Sequence, residues 1–193
     1  MGREIRRVPP DWDHPKESKF DFIKQTEVER YTPMLDQDAD TAWQEWQAEY
    51  NEWVGGAYTE AIEECGPGEI KENQPYAAFC EWNGPPPDPE YHRPRWAEGE
   101  ATWFQVYETV SEGTPVTPPF ETQQELIDYL VTNGDFWDQA RRKEGRSIID
   151  CEPWSRETAE HFVLKTQYAP SLVSLDGVVQ SGVKAALGAN SND

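Results

Sequence analysis

The clearest hydrophobic pattern in this sequence lies at residues 102–110, a segment rich in aromatic and β-branched side chains. Its apolar and polar positions alternate well enough to predict a β-strand. A turn is predicted at 111–115, because the segment contains Gly113 and Pro115, and a short extended segment is predicted at 116–120. The strand therefore begins the most regular part of the predicted fold.

A helix is predicted directly after this segment, because Thr122 and Glu125 have the spacing of a capping box. Its apolar residues recur on one side at helical spacing, and they are Leu126, Ile127, Leu130 and Val131. The helix is expected to end at Asn133–Gly134, since glycine commonly ends helices. Strand, turn and helix form one supersecondary unit.

An aromatic helix is predicted earlier in the chain, from about Thr41 to Val54, with Asp38 or Asp40 as its N-cap. Its aromatic residues share one helical face, and they are Trp43, Trp46, Tyr50 and Trp53. We expect this face to belong to the core. Gly55–Gly56 interrupts the pattern, and a shorter helix is expected at Ala57–Glu64.

Other segments carry weaker patterns. Residues 2–15 contain three prolines, so an extended arm anchored by Ile5, Val8 and Trp12 is predicted, and Phe20, Phe22 and Ile23 continue it as a short strand or turn. Residues 66–96 are predicted to be mostly loop, with a polyproline-like stretch at 83–89. Two more helices are predicted. The first is capped by Asp135 and runs to Lys143, and the second is capped by Ser155, with Ala159, Phe162 and Val163 facing inward. A hairpin is predicted around Asp176–Gly177, with Leu172–Leu175 and Val178–Gln180 as its strands.

These patterns predict an α+β fold, with a small antiparallel sheet, three to five helices and long Pro-rich loops. The 16 prolines and 13 glycines account for the irregular connections. We expect an extended arm at 1–30, a single α+β domain at 31–183 and a flexible tail at 184–193.

Charge changes the picture of function. The chain has 17 Lys and Arg against 37 Asp and Glu, a net charge of −20, while residues 1–30 carry seven of each sign. Such a charge repels phosphate backbones and anionic membranes, so neither direct nucleic-acid binding nor membrane binding is expected. A protein with a basic surface is the complementary partner. The alternative interpretation is that the charge only keeps the protein soluble.

The acidity is concentrated in residues 31–70, which contain ten carboxylates and no Lys or Arg. On the predicted aromatic helix, Glu45, Glu49 and Glu52 fall on a face of their own. The candidate partner-binding residues of this acidic segment are Asp38, Asp40, Glu45, Glu49, Glu52, Glu60, Glu63 and Glu64.

No catalytic, cofactor or metal site is predicted. Phosphate-binding glycine loops, nucleophile elbows and zinc-protease motifs are missing from the sequence, so a non-enzymatic role is favoured. Cys65, Cys80 and Cys151 have no metal-ligand spacing and are interpreted as reduced thiols of a cytosolic protein. His14, His92 and His161 are isolated from one another in the sequence.

Three segments carry a resemblance to a known group of proteins. They are the run Gly-Arg-Glu-Ile-Arg-Arg-Val-Pro-Pro-x-Trp-x-His-Pro at 2–15, the stretch 103–134 with Glu-Thr-Val-Ser-Glu-Gly-Thr-Pro-Val-Thr-Pro at 108–118, and Tyr-Ala-Pro-Ser-Leu-Val at 168–173 followed by Ser-Gly-Val at 181–183. Together they resemble a family of uncharacterised accessory proteins of tailed phages and prophages. The resemblance covers about half of the chain and leaves out 31–70. It implies a protein that works inside a bacterial host, and it assigns no activity or residue roles.

The sequence therefore favours an acidic phage accessory protein that binds and modulates a host defence or nucleic-acid-processing protein by mimicking nucleic-acid charge, in the host bacterial cytoplasm. One alternative is an assembly component of the phage particle, with the arm at 1–30 threading into a neighbour. Another is an enzyme or small-ligand binder with a pocket that the sequence does not reveal. The sequence does not indicate an oligomeric state.

Overall fold

The computed structural model describes residues 2–10, 12–57, 75–110, 113–145, 152–169, 172–175 and 178–181. The chain divides into two compact units, one formed by Met1–Met34 with Trp96–Asp193 and the other by Leu35–Arg95. We call them the sheet unit and the acidic unit. The boundary predicted from the sequence lies instead after residue 30, between an arm and a single domain.

The sheet unit is built on a four-stranded sheet. Its strands are β1 (Arg3–Val8), β6 (Trp103–Glu108), β7 (Thr114–Pro115) and β8 (Tyr168–Ala169). Their order across the sheet is β7-β6-β1-β8. β1 lies antiparallel between β6 and β8, and Ile5 pairs with Val106. The beginning of the segment predicted as an arm is thus extended, but Arg3–Val8 is an inner strand of the sheet, because it pairs with one strand at each edge.

One face of this sheet carries the apolar core. The core consists of Phe104, Val106, Val116, Leu126, Ile127, Leu130, Ala159, Phe162, Val163 and Ala169. It includes three apolar residues of α3 (Gln123–Asn133), which begins at the capping box of Thr122 and Glu125 and ends before Gly134 with φ of 68°. The predicted strand and helix are confirmed. β7 lies inside the segment that was predicted as a turn, and in the segment predicted to be extended, 116–120, Phe120 forms a bridge with Phe104.

Two further helices of the sheet unit begin at the residues that the sequence indicated. α4 (Phe136–Lys143) is capped by Asp135, whose side chain accepts hydrogen bonds from the backbone N–H groups of Trp137 and Asp138. α5 (Arg156–His161) is capped by Ser155, and a turn of π-helix, Phe162–Thr166, continues it. Ala159, Phe162 and Val163 are buried, which confirms their predicted inward direction.

Two hairpins lie outside the main sheet. The first joins β2 (Lys16–Asp21) to β3 (Thr26–Tyr31), with Lys16 opposite Tyr31 at its base. The second joins β9 (Leu172–Leu175) to β10 (Val178–Ser181), which confirms the predicted hairpin. Its turn, Asp176–Gly177, and the predicted tail at 184–193 lie outside the described residues.

The acidic unit contains β4 (Leu35–Asp38) paired in parallel with β5 (His92–Arg93), and the helices α1 (Ala39–Glu52) and α2 (Pro75–Asn83). α1 confirms the predicted aromatic helix, and Asp38 is its N-cap. Where Gly55–Gly56 was expected to interrupt it, the chain continues as a turn of π-helix, Trp53–Ala57. The helix expected at 57–64 lies mostly outside the described residues.

The prediction that residues 66–96 are mostly loop did not include α2. Proline is tolerated in the first turn of a helix, and Pro75 begins this one. The helix ends where the backbone N–H of Gly84, with φ of 94°, donates to the carbonyl oxygen of Cys80 at 3.0 Å. The prolines at 85–89 lie beyond this end, so they do not prevent the helix.

The architecture confirms the predicted α+β class, with a small antiparallel sheet, helices and additional two-stranded sheets. None of the helices that the structure describes combines the length and the apolar character needed to cross a bilayer.

Two glycines with positive φ provide a test of how closely the chain packs around β1. A Cβ on Gly113 (φ of 90°) would collide with the carbonyl oxygen of Met34 and lie 2.5 Å from Nη2 of Arg6, whereas one on Gly99 (φ of 78°) would meet nothing within 4 Å. We expect Gly99→Ala to reduce the free energy of unfolding by about 1 kcal/mol, from backbone strain alone. Gly113→Ala should reduce it by roughly 3 kcal/mol or more. Urea unfolding of both variants measures this, and equal losses would contradict the close approach at Gly113.

Candidate functional site

The predicted acidic face lies on α1 of the acidic unit. Glu45, Glu49 and Glu52 are all exposed, and their spacing places them on one side of the helix. Glu45 accepts a hydrogen bond from Nε2 of Gln37 at 2.6 Å, and Glu49 accepts one from Nδ2 of Asn83 at 2.8 Å. Both donors are neutral, so they orient the carboxylates and leave the negative charge uncompensated. We call these three glutamates the acidic face.

The predicted aspartates at the beginning of α1 are differently placed. Asp38 caps the helix, and its oxygens accept hydrogen bonds from the backbone N–H and the hydroxyl of Thr41, at 3.1 and 2.9 Å. These two hydrogen bonds hold the pKa of Asp38 below its ordinary value. Asp40 lies 3.4 Å from Arg95 in an exposed ion pair. Asp38 therefore has a structural role, and Asp40 is already partnered.

The two arginines of the acidic unit also pair with aspartates near the beginning of α1. Arg93 lies 3.7 Å from the carboxylate of Asp36, and its Nε also donates to the backbone carbonyl of that residue. Across Leu35–Arg95 the sequence contains 14 Asp and Glu against three Lys and Arg. Among the described residues, no Lys or Arg forms an ion pair with Glu45, Glu49 or Glu52. The candidates Glu60, Glu63 and Glu64 lie outside the described residues.

The aromatic side of α1 holds the acidic face in place. Trp46 and Trp53 are buried with Phe79 of α2, and Nε1 of Trp46 donates to the carbonyl oxygen of Gly84 at 3.3 Å. Trp43 stacks on Trp46 with ring centroids 5.6 Å apart, but it is 46% exposed. The expectation that the whole aromatic face is core holds for Trp46 and Trp53 and is wrong for Trp43, which lies at the edge of this small cluster.

A second charged cluster, which the sequence analysis missed, is buried in the sheet unit around Arg3. Its guanidinium lies 2.6 Å from Oδ2 of Asp135 and 3.2 Å from Oε1 of Glu108. Nε1 of Trp137 donates to the other oxygen of Glu108 at 3.1 Å. The strand register places Arg3 opposite Glu108, and the N-cap of α4 supplies Asp135.

A third carboxylate extends this cluster. Asp138 accepts hydrogen bonds from the backbone N–H of Asp135 at 3.0 Å and from Nε1 of Trp154 at 3.1 Å. Burial raises the pKa of Asp138, and the neighbouring charge of Asp135 adds to this effect. A raised pKa is often associated with acid–base chemistry, but here both oxygens of Asp135 and one of Asp138 are engaged in helix capping or with Arg3. We therefore assign this cluster to stability.

The opposite face of the sheet carries a neutral polar network around Tyr107. Nε2 of His14 lies 2.8 Å from the carbonyl oxygen of Thr32, which can only accept, so this nitrogen carries a proton. Nδ1 of His14 lies 3.2 Å from the Tyr107 hydroxyl, which also donates to Oε1 of Gln105 at 2.9 Å. The amide of Gln105 in turn donates to the carbonyl oxygen of Thr117 at 2.8 Å. When His14 is neutral, the single hydroxyl proton of Tyr107 is therefore shared between two acceptors, Nδ1 of His14 and Oε1 of Gln105.

Other candidate chemistry is limited among the described residues. They contain no group of three or more His, Cys, Asp or Glu side chains placed to hold a metal ion. Cys80 is a half-buried free thiol, while Cys65 and Cys151 lie outside the described part of the chain.

The buried Arg3 cluster had only a partial signal in the sequence, the N-cap at Asp135, since the partners of Arg3 are 105 and 132 residues away.

Removing Arg3 should test whether the buried cluster depends on its charge. In Arg3→Met, Glu108 and Asp135 would remain buried beside each other without a cation, so we expect a loss of about 3 to 5 kcal/mol in the free energy of unfolding. Arg156→Met is the matched control, because Arg156 forms an exposed ion pair with Asp128 at 2.9 Å and its loss should change little. Guanidinium unfolding measures both, and similar losses would argue against a special role for Arg3.

The pH dependence of stability should reveal His14. Burial lowers the pKa of His14 from its ordinary value of 6.5, although the hydrogen bond to Thr32 opposes this shift. The unfolded chain thus binds the proton first, so stability is intact above about pH 6.5 and is lost as the pH falls through that value. We expect the free energy of unfolding to fall more steeply between about pH 7.5 and about pH 5.5 in the wild type than in His14→Gln. Equal slopes in urea unfolding would contradict this.

Comparison of the chain with models of protein families, with curated proteins and with solved structures finds no match. Function must therefore be inferred from the sites themselves. The residues of the acidic face are exposed, share a sign and have no ionic partner in the part of the chain that the structure describes.

Proposed function

We propose that this chain is an acidic accessory protein of a tailed phage or prophage that binds a host protein through the acidic face of α1. The observation that carries the proposal is the absence of an ionic partner for Glu45, Glu49 and Glu52 among the described residues. Exposed charges of one sign on a rigid helix favour fast, selective association with a surface of opposite sign. The resemblance of 2–15, 103–134 and 168–173 with 181–183 to phage proteins supports the context, and the host bacterial cytoplasm is the corresponding location.

The partner that this surface fits is a protein with a basic groove, such as a host factor for defence or for nucleic-acid processing. Glutamates four and three residues apart rise about 6 and about 4.5 Å along the helix. Phosphates on one strand of a duplex rise about 3.4 Å each. The acidic face therefore resembles a nucleic-acid strand in sign and linear arrangement, at a lower charge density. Mimicry of this kind would occupy part of a nucleic-acid-binding surface.

An assembly role through a threading arm is the less favoured alternative. β1 is hydrogen-bonded to β6 along its length and to β8 at Arg3 and Glu4. Threading residues 3–8 into a neighbour would require this sheet to open and the buried charge of Arg3 to lose its partners. Both changes are costly.

Charge reversal on α1 provides the test. We expect Glu45→Lys, Glu49→Lys and Glu52→Lys together to reduce capture of the main host partner by about tenfold or more, because three attractive contacts become repulsive. Capture from host lysate, followed by quantitative mass spectrometry, measures this. Duplex DNA added to the wild-type complex should displace the same partner.

A matched control separates the surface from the overall charge. Glu98→Lys, Glu121→Lys and Glu152→Lys change the net charge by the same amount at exposed positions of the sheet unit. Capture by this control should stay close to that of the wild type. An equal loss in both triple variants would reduce the proposal to non-specific charge, and unchanged capture by the α1 variant would refute it.

A further inference from the structure

The β2–β3 hairpin of the sheet unit ends in a cluster of exposed apolar side chains. Phe20, Phe22 and Ile23 are 48%, 80% and 95% exposed. The rings of Phe20 and Phe22 contact each other edge to face, with centroids 5.2 Å apart. Contiguous exposed apolar residues are uncommon on soluble proteins and mark interaction sites more often than isolated ones do. We call these three residues the hairpin tip.

The turn that displays the hairpin tip is held by its own hydrogen bonds. One oxygen of Asp21 accepts from the backbone N–H groups of Ile23 and Lys24, at 3.0 and 3.1 Å. The other oxygen forms an ion pair with Arg30 at 3.2 Å. Gln25 adopts a left-handed conformation with φ of 54°, and its side chain donates to the carbonyl oxygen of Phe22 at 2.6 Å. The apolar side chains are therefore presented on an ordered turn, which lowers the entropy lost on binding.

The base of the hairpin is anchored in the sheet unit. The backbone N–H of Thr32 donates to the carbonyl oxygen of Pro15 at 3.0 Å, just outside the two strands. Buried His14 contacts the carbonyl oxygen of Thr32 on one side and the Tyr107 hydroxyl on the other. Tyr31 stacks on Phe136 with an angle of 8° between the rings. A buried polar base thus supports an exposed apolar end.

We propose that the hairpin tip inserts into an apolar pocket on a basic protein partner. Lys16–Tyr31 contains four basic and four acidic residues, so this hairpin is neutral in a chain with a net charge of −20. The tip can therefore enter an apolar pocket without carrying net charge into it, while the rest of the chain attracts a protein of opposite charge. Aromatic side chains held on an ordered turn are typical of the residues that dominate protein–protein binding.

Two other occupants fit these observations less well. Peripheral membrane segments combine apolar residues with an excess of Lys and Arg, whereas this hairpin has no excess and the chain is strongly acidic. In a pair of copies joined tip to tip, the two rings of each tip would together bury about 300–500 Å², short of the roughly 800 Å² per partner of a stable interface. Two chains of the same high charge would also repel each other. A pocket, by contrast, can also enclose the strands that flank the tip.

The test is photo-cross-linking from the tip in the full-length chain. Phe22 is replaced by p-benzoylphenylalanine, and the protein is irradiated in host cells. We expect one discrete adduct with a host protein, whose cross-linked peptide contains apolar residues. The same probe at Tyr168, which is 55% exposed in the sheet unit, should not form that adduct.

A further substitution in the protein that carries the probe tests whether the adduct depends on the hairpin tip. With the probe at position 22, Ile23→Asp should reduce the adduct at least tenfold, whereas Val110→Asp should not, although Val110 is also exposed, at 55%. Because Ile23 is 95% exposed, its substitution should leave the thermal transition of the protein unchanged. If the transition shifts, the milder Ile23→Ser provides the same comparison.

The inference stands apart from the acidic face, which belongs to the other unit of the chain. In the variant Glu45→Lys, Glu49→Lys, Glu52→Lys, we expect the adduct from position 22 to persist, so the two proposals can fail separately. An adduct with a second copy of the chain, an adduct with lipid or no adduct would each overturn the inference. An adduct that disappears in the α1 variant but remains in Ile23→Asp would assign the contact to α1 and would also overturn it.

Discussion

The ion pairs of Arg3 connect parts of the sheet unit that lie far apart in the sequence. This side chain extends from an inner strand, contacts Glu108 on the neighbouring strand and contacts Asp135 at the beginning of α4. Asp135 also caps α4, so the position of that helix and the register of β1 against β6 are fixed by one set of contacts. A buried cation among carboxylates tolerates little displacement, because each unpaired charge would lie in a medium of low dielectric constant. The rest of the sheet unit therefore packs around α4 and β1 in these positions.

One face of the main sheet packs against the apolar core, and the other face carries a network of polar hydrogen bonds. On one face, Leu126, Ile127 and Leu130 of α3 belong to the apolar core that also contains Phe104 and Val106 of β6. On the other, the network of His14, Tyr107 and Gln105 fixes the segment that leads into the β2–β3 hairpin. A small domain can thus position an exposed hairpin without devoting more apolar residues to it. The hairpin tip that we propose as a docking element depends on this polar anchor.

The two units of the chain use their charged side chains differently. In the sheet unit, Asp135 caps a helix and pairs with Arg3, and Glu108 also pairs with Arg3. In the acidic unit, Arg93 and Arg95 lie close to Asp36 and Asp40, and no described Lys or Arg pairs with the glutamates farther along α1. The proposed binding surface is therefore defined by where the few basic residues are, as much as by where the acidic ones are.

The sequence by itself determined the elements whose signals are local. The capping box of Thr122 and Glu125, the caps Asp135 and Ser155, and the aromatic periodicity of α1 each predicted a helix that the structure contains, because a cap or a helical face involves residues within a few positions of one another. It missed α2, whose beginning at Pro75 resembled a loop, and it placed Trp43 in the core. Only the tertiary structure decided that Arg3–Val8 is an inner strand, that Arg3 is buried with Glu108 and Asp135, and which carboxylates near α1 have a described arginine beside them. Those outcomes depend on strand pairing and side-chain contacts between residues far apart in the chain, and no local pattern encodes them.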